Sequence, residues 1–156
     1  VIVQSGSAEE TIDLGRRLGE VLEEGDVVAL AGELGSGKTW FAKGLAIGLG
    51  VPRDVVVTSP SFALVNTYQG RCVLYHIDAY RLESLAEFRS AGLEEYFELG
   101  GVVVMEWADR WPEIIPDLRL RVDFDILNNF RRVIRIGGDH PRAKEILKRM
   151  DRAGKA

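Results

Sequence analysis

Residues 27–40, VVALAGELGSGKTW, run from an apolar segment into three glycines within six residues, then a lysine and a threonine. Glycine loses more backbone entropy on folding than any other residue, so three so close together need a reason that only an absent side chain supplies. Residues 32–39, GELGSGKT, match the phosphate-loop pattern G-x-x-x-x-G-K-[ST] without a mismatch. The context fits: residues 26–31 read as a strand buried on both faces, and residues 38–49 as a helix despite Gly44 and Gly48. In such a loop the glycines let successive N–H groups point inward, and the helix N-terminus adds partial positive charge. Glu33, Leu34, Gly35, Ser36, Gly37, Lys38, Thr39 and Trp40 are therefore the candidate nucleotide-binding residues. Lys38 is expected to reach the β- and γ-phosphates, and the Thr39 hydroxyl to ligate magnesium.

The rest of the composition sets bounds. A chain of 156 residues, 46% hydrophobic, suits one domain, 1–156, with one core, burying about 70% of the surface its unfolded form exposes. With 20 Lys plus Arg against 24 Asp plus Glu the net charge is −4, which disfavours broad electrostatic binding of nucleic acid. A single cysteine, Cys72, cannot form an internal disulfide, and no Cys/His set suggests a metal cage, so a reducing cytoplasm is the expected setting. No apolar run approaches the ~20 residues that span a bilayer, and no membrane role is expected. A start at Val1 in place of methionine leads to the expectation that a few native residues precede it.

Outward from the loop, residues 8–24 place Ile12, Leu14, Leu18, Val21 and Leu22 at helical spacing, with Ser7 as N-cap and Gly25 as stop. SFALVNTY and RCVLYHID flank Gln69-Gly70 as a hairpin, and residues 83–99 read as helix broken near Gly92. Residues 101–107, GVVVMEW, form a second interior strand. LRLRVDFDI and FRRVIRI alternate apolar and charged residues around Asn128-Asn129, an antiparallel hairpin with one wet face. A basic amphipathic helix over about 141–152 closes the chain, read first as a solvated face and second as an RNA contact. The expected fold is α/β: a P-loop three-layer arrangement with a mainly parallel sheet, antiparallel hairpins, and helices on both faces.

A phosphate loop binds nucleotide, but hydrolysis also needs an acid near magnesium. VLYHID ends in Asp78 and VVVMEW in Glu106. Ligands of open parallel sheets sit outside the carboxyl ends of the strands, which is where both acids would emerge beside the loop. The segment 56–65, VVTSPSFALV, presents Thr58, Ser59 and Ser61 around Pro60. It reads equally as a γ-phosphate-sensing switch and as an ordinary Ser-Pro turn. His76, inside a strand, reads first as a hydrogen-bonded structural histidine and second as a base. Arg81 has three readings that the sequence does not separate: a loop anchor, a phosphate contact or a partner contact.

GELGSGKT, TSPSF, HIDAYRL and MEW, in that order in a chain of this size, resemble the TsaE (YjeE) family of bacterial P-loop ATPases. The resemblance covers about residues 5–137, the last three motifs being more diagnostic than the loop. It implies ATP and magnesium as ligands, with Asp78 and Glu106 as the essential acids near the metal and Trp107 close to the nucleotide. It further implies a role in threonylcarbamoyladenosine synthesis at position 37 of tRNAs reading ANN codons. There the protein would work with TsaD and TsaB, meeting tRNA only through that complex, and hydrolysis would support turnover without performing the transfer. Ser61 stands where the family often has threonine, and Trp40 where a smaller residue is usual. A small-molecule or nucleotide kinase is the alternative, although no insertion is long enough for a full lid. A guanine-specific switch would carry N-K-x-D, which is absent from the sequence. With no arginine unmistakably placed as a finger, slow hydrolysis by the isolated chain is expected.

Overall fold

The computed structural model describes residues 1–60 and 64–155, so Ser61 and Phe62 of the hydroxyl-bearing segment lie outside the described residues. The interior strand ahead of the glycine loop is β2, Val27–Gly32, and it lies at the centre of the sheet. Its neighbours are β5, Val102–Glu106, and β6, Leu120–Ile126, both parallel to it. Beyond β5 lies β4, Val73–Asp78, also parallel, followed by antiparallel β3, Val65–Gln69. Beyond β6 lie antiparallel β7, Arg132–Gly137, and β1, Ile2–Ser5, giving the order β1-β7-β6-β2-β5-β4-β3. The centre is therefore parallel and both margins antiparallel. The strand β1 has no sequence forerunner: it spans four residues with Ile2 exposed, and its strand character comes from pairing with β7.

The strand period of two sends alternate residues to opposite faces. Val28, Leu30, Val102, Val104, Val122 and Ile134 face α1, Ala8–Val21, and α2, Lys38–Gly48, with α4, Pro141–Lys155, beside them. Val27, Ala29, Val103 and Met105 face the other way, under α3, Leu85–Ser90, and a 3₁₀ helix at Leu93–Glu98. Helices thus cover both faces, unequally. The expected helix over 83–99 is split at Gly92, whose φ of 71° is left-handed and ends the first piece.

Ser7 caps α1 by accepting from Glu10 N at 3.1 Å, while the Glu10 carboxylate accepts from Gly6 N at 2.7 Å. The glycines that weaken α2 as a helix are explained by its packing on α1. A Cβ on Gly44 would lie 1.9 Å from Ile12 O, and one on Gly48 2.2 Å from Arg16 O. Gly15 and Gly19 make the same close approach from α1, so the two backbones touch through four glycines. This contact fixes α2, and with it the loop at its N-terminus. The tail helix α4 buries Ala143, Ile146 and Met150. Two of its basic residues are engaged locally: Arg142 makes a bidentate pair with buried Asp26 at 2.8 and 2.7 Å, and Arg149 reaches Glu23 at 2.7 Å.

Candidate nucleotide and metal site

Between β2 and α2 the loop turns through Gly35 and Gly37, with φ of 79° and 104°, angles that a residue with a Cβ adopts only under strain. Gly32 is needed for closeness: a Cβ there would meet the Ser36 hydroxyl at 2.7 Å and the Phe124 Cβ at 2.9 Å. The helix α2 starts on Gly37 with no side-chain cap, so its first-turn N–H groups face the loop's concavity. Lys38, 5% exposed, donates from Nζ to the carbonyls of Gly32 at 2.6 Å and Glu33 at 2.9 Å. The same ammonium lies 4.0 Å from the centroid of the Trp107 ring. Burial lowers its pKa, opposed by the charges of Glu106, Asp78 and Asp109. A desolvated cation at the mouth of a ring of N–H groups is matched to a phosphate.

The acids arrive on rigid strands. In the β4–β5 register Asp78 is paired with Glu106, so both carboxylates stand on one sheet face at the strand ends. Glu106 is 2% exposed, and among the described residues its carboxylate meets three polar side chains. Oε2 takes the His76 ring Nε2 at 2.5 Å and the Ser59 hydroxyl at 3.1 Å, and Oε1 takes the Thr39 hydroxyl at 3.4 Å. The Thr39 and Ser59 hydroxyls are themselves 2.8 Å apart. Asp78 accepts from Tyr80 N at 2.9 Å, and burial, with the Glu106 charge adding to it, raises its pKa above the usual carboxylate range. Trp107, next after Glu106, sits at φ 62°, in the left-handed region that a bulky residue enters only at a cost of about 1–3 kcal/mol. That turn lays the indole against Tyr80, ring centroids 5.0 Å apart, and under Lys38.

These groups line one cleft of about 500 Å³ that runs from Leu34 and Gly35 past Lys38 and Thr39 to Asp78 and Trp107. Thr58 lines it too, but the hydroxyl that touches Thr39 and Glu106 belongs to Ser59. Glu33 takes part through its backbone carbonyl and Ser36 lies buried beneath the loop, so neither side chain lines the cleft. Trp40 lines this cleft and a second one of about 360 Å³ on the far side of the loop, where Ser5, Thr11 and Arg132 stand. There the Ser5 and Thr11 hydroxyls are 2.7 Å apart, and Arg132 donates to Gly35 O at 3.2 Å.

The sequence offers Ser59 as one of three hydroxyls of a switch or turn and His76 first as a structural histidine, and it does not single out Tyr80. The signal for His76 was present: it precedes Asp78 by two in a strand, hence on the same face. Thr11 and Arg132 gave none, since they meet the loop only through the fold.

The family model described as "Threonylcarbamoyl adenosine biosynthesis protein TsaE" matches residues 5–134. A protein of Treponema pallidum named tRNA threonylcarbamoyladenosine biosynthesis protein TsaE is 42% identical over 132 residues, 85% of this chain and 96% of its own length. The Bacillus subtilis protein of the same name is 43% identical over 115 residues, 73% of this chain and 70% of its own length. The crystal structure of Bacillus subtilis YdiB superposes with a TM-score of 0.82 at 31% identity, covering 99% of this chain and 95% of that one. On the strength of the matched span and these likenesses, the chain belongs to the TsaE family.

Proposed function

We propose that this chain binds ATP with magnesium, hydrolyses it slowly, and serves threonylcarbamoyladenosine synthesis on tRNA together with TsaD and TsaB. The biological role rests on the names of its relatives. The chemistry rests on one observation: Thr39, Ser59 and Glu106 converge at the end of a glycine loop whose lysine is buried beside them.

In this reading the phosphates lie over the loop, contacted by the first-turn N–H groups of α2 and by Lys38. The nucleoside extends over Gly35 into the cleft of Thr11 and Arg132, which shares Gly35, Gly37 and Trp40 with the phosphate cleft. Among the described residues, the candidate ligand atoms lining the cleft near Thr39 are oxygens, the Thr39 and Ser59 hydroxyls and the Glu106 and Asp78 carboxylates, a set that suits a hard divalent cation. Magnesium bound there would neutralise charge on the β- and γ-phosphates. The chain's own part is to hold the Glu106 carboxylate in place through His76, Ser59 and Thr39 and to cover the site with Trp107 and Tyr80.

The test is steady-state ATP hydrolysis by the chain alone and with TsaD–TsaB added. A slow basal rate with strong stimulation is expected. Fast, unstimulated hydrolysis, or stoichiometric phosphoryl transfer to a small acceptor, would overturn the reading in favour of a kinase.

A further inference from the structure

We propose that His76 is a positioning residue for Glu106: its Nε2–H saturates Oε2 and so turns Oε1 toward Thr39 and the metal. The inference rests on the nucleotide and magnesium reading above. His76 is fully buried and Glu106 2% exposed, so the carboxylate takes its hydrogen-bond partners from the protein. The donors are divided unequally between its oxygens. Among the described residues, Oε2 holds His76 at 2.5 Å and Ser59 at 3.1 Å, whereas Oε1 has only the long contact of 3.4 Å from Thr39. Oε1 is thus the oxygen left with free lone pairs, and it faces the threonine expected on the cation.

The ring itself is held by the sheet. His76 is paired with Val104 on β5 and Asn66 on β3, one step along from the Asp78–Glu106 pair, so its side chain meets Glu106 diagonally on one face. The other ring nitrogen, Nδ1, is buried with no hydrogen-bond partner among the described residues. A hydrogen on Nδ1 would be an orphaned donor and would leave Nε2 a lone pair facing a carboxylate. The geometry therefore assigns the hydrogen to Nε2. Partners that orient a metal-ligating side chain in this way commonly change metal affinity 10–100-fold when removed.

Three variants of the full chain separate positioning from packing. The amide nitrogen of His76→Gln can reach the place of Nε2, that of His76→Asn only the place of Nδ1, and His76→Leu keeps bulk without a donor. Mn²⁺ affinity is read by electron paramagnetic resonance in the presence of a non-hydrolysable ATP analogue, and analogue affinity is read separately in chelator. The Leu and Asn variants should lose about 10-fold or more in Mn²⁺ affinity with metal-free analogue binding unchanged, and Gln should retain the metal. Wild-type Mn²⁺ affinity in a folded His76→Leu protein overturns the proposal, as does a Gln variant as weak as Leu.

A second readout needs no variant at His76. Long-range ¹⁵N–¹H spectra of the wild-type chain, which has two histidines, should show the His76 hydrogen on Nε2, with His140→Gln assigning the other ring. An Nε2 without a hydrogen overturns the proposal even if the Leu variant does not fold. Failure of the wild-type chain to bind the analogue and Mn²⁺ at all would instead overturn the nucleotide reading, leaving the tautomer to decide the His76–Glu106 geometry.

Discussion

Replacing Gly44 by alanine sets two effects of opposite sign against each other. Alanine is the better helix former by about 1 kcal/mol, so on propensity alone Gly44→Ala would stabilise α2. The new Cβ, however, would lie 1.9 Å from Ile12 O, 2.7 Å from Ile12 C and 2.9 Å from Arg16 N. All three are backbone atoms, so no side chain can swing aside, and α1 and α2 must separate by about 1 Å before the closest contact reaches 3.0 Å. That separation loosens a seam where Leu14, Leu18, Phe41 and Leu45 are packed, and overpacking of this kind costs about 1–3 kcal/mol, the upper end applying to backbone. The net expectation is a loss of about 2 kcal/mol, or a fall in Tm of about 4–8 °C for a domain of this size. The displacement also moves Lys38 and Thr39, which open α2, so nucleotide affinity should fall together with stability. Urea denaturation and titration of tryptophan fluorescence with ATP measure the two. Gly137→Ala is the control, because its Cβ meets nothing within 4 Å among the described residues. A Gly44→Ala protein as stable as the wild type would refute the claim that backbone contact sets the α1–α2 spacing.

Other perturbations test the site and its supports. Lys38→Ala removes a buried cation, so ATP affinity should drop roughly 10- to 100-fold by equilibrium titration while Tm does not fall. Glu106→Gln should retain metal-free nucleotide binding and lose magnesium-dependent hydrolysis; normal turnover would remove Glu106 from the site. Asp26→Asn leaves Arg142 without its bidentate partner, whose side chain is 4% exposed, and should cost about 3 kcal/mol in urea denaturation and speed amide exchange along α4. Burial raises the Cys72 pKa, so the folded chain holds less thiolate than the unfolded one at any pH below that raised value. Alkylation of the native protein should accordingly be slow at pH 7 and accelerate as pH rises, whereas rapid labelling at pH 7 would show the thiol to be accessible.

What the sequence discloses and what it hides follow from the range of the interactions. The phosphate loop is local: Gly35 and Gly37 need positive φ, Lys38 and Thr39 open the helix, and all of it lies within one strand-loop-helix unit. The parallel centre is legible because β2 and β5 are unbroken apolar runs, buried on both faces. The strand β1 is hidden because its partner lies about 130 residues along the chain. The reason for Gly44 and Gly48 is hidden likewise, since glycine spacing in α2 acquires meaning only against Gly15 and Gly19 of another helix. Motif reading expected both acids at strand ends beside the loop, where they stand, but the choice of Ser59 over Thr58 as the touching hydroxyl depends on which way a strandless segment turns.

The acidic end of the cleft has two kinds of support. Glu106, Asp78 and His76 are carried by adjacent central strands, their positions set by the β4–β5 register. Ser59 is carried by the segment 52–60, which has neither helix nor strand. That segment is anchored by buried Val57 and Pro60 and by Asn66 donating to Thr58 O at 3.1 Å, while Val56 stands 75% exposed. The carboxylates are therefore preorganised, whereas the hydroxyl that completes the Thr39–Ser59–Glu106 triangle depends on a loop with few contacts of its own. The proposal of slow hydrolysis alone and stimulation by a partner draws on that division: a partner that held Ser59 in place would complete the triangle with a hydroxyl the chain already supplies.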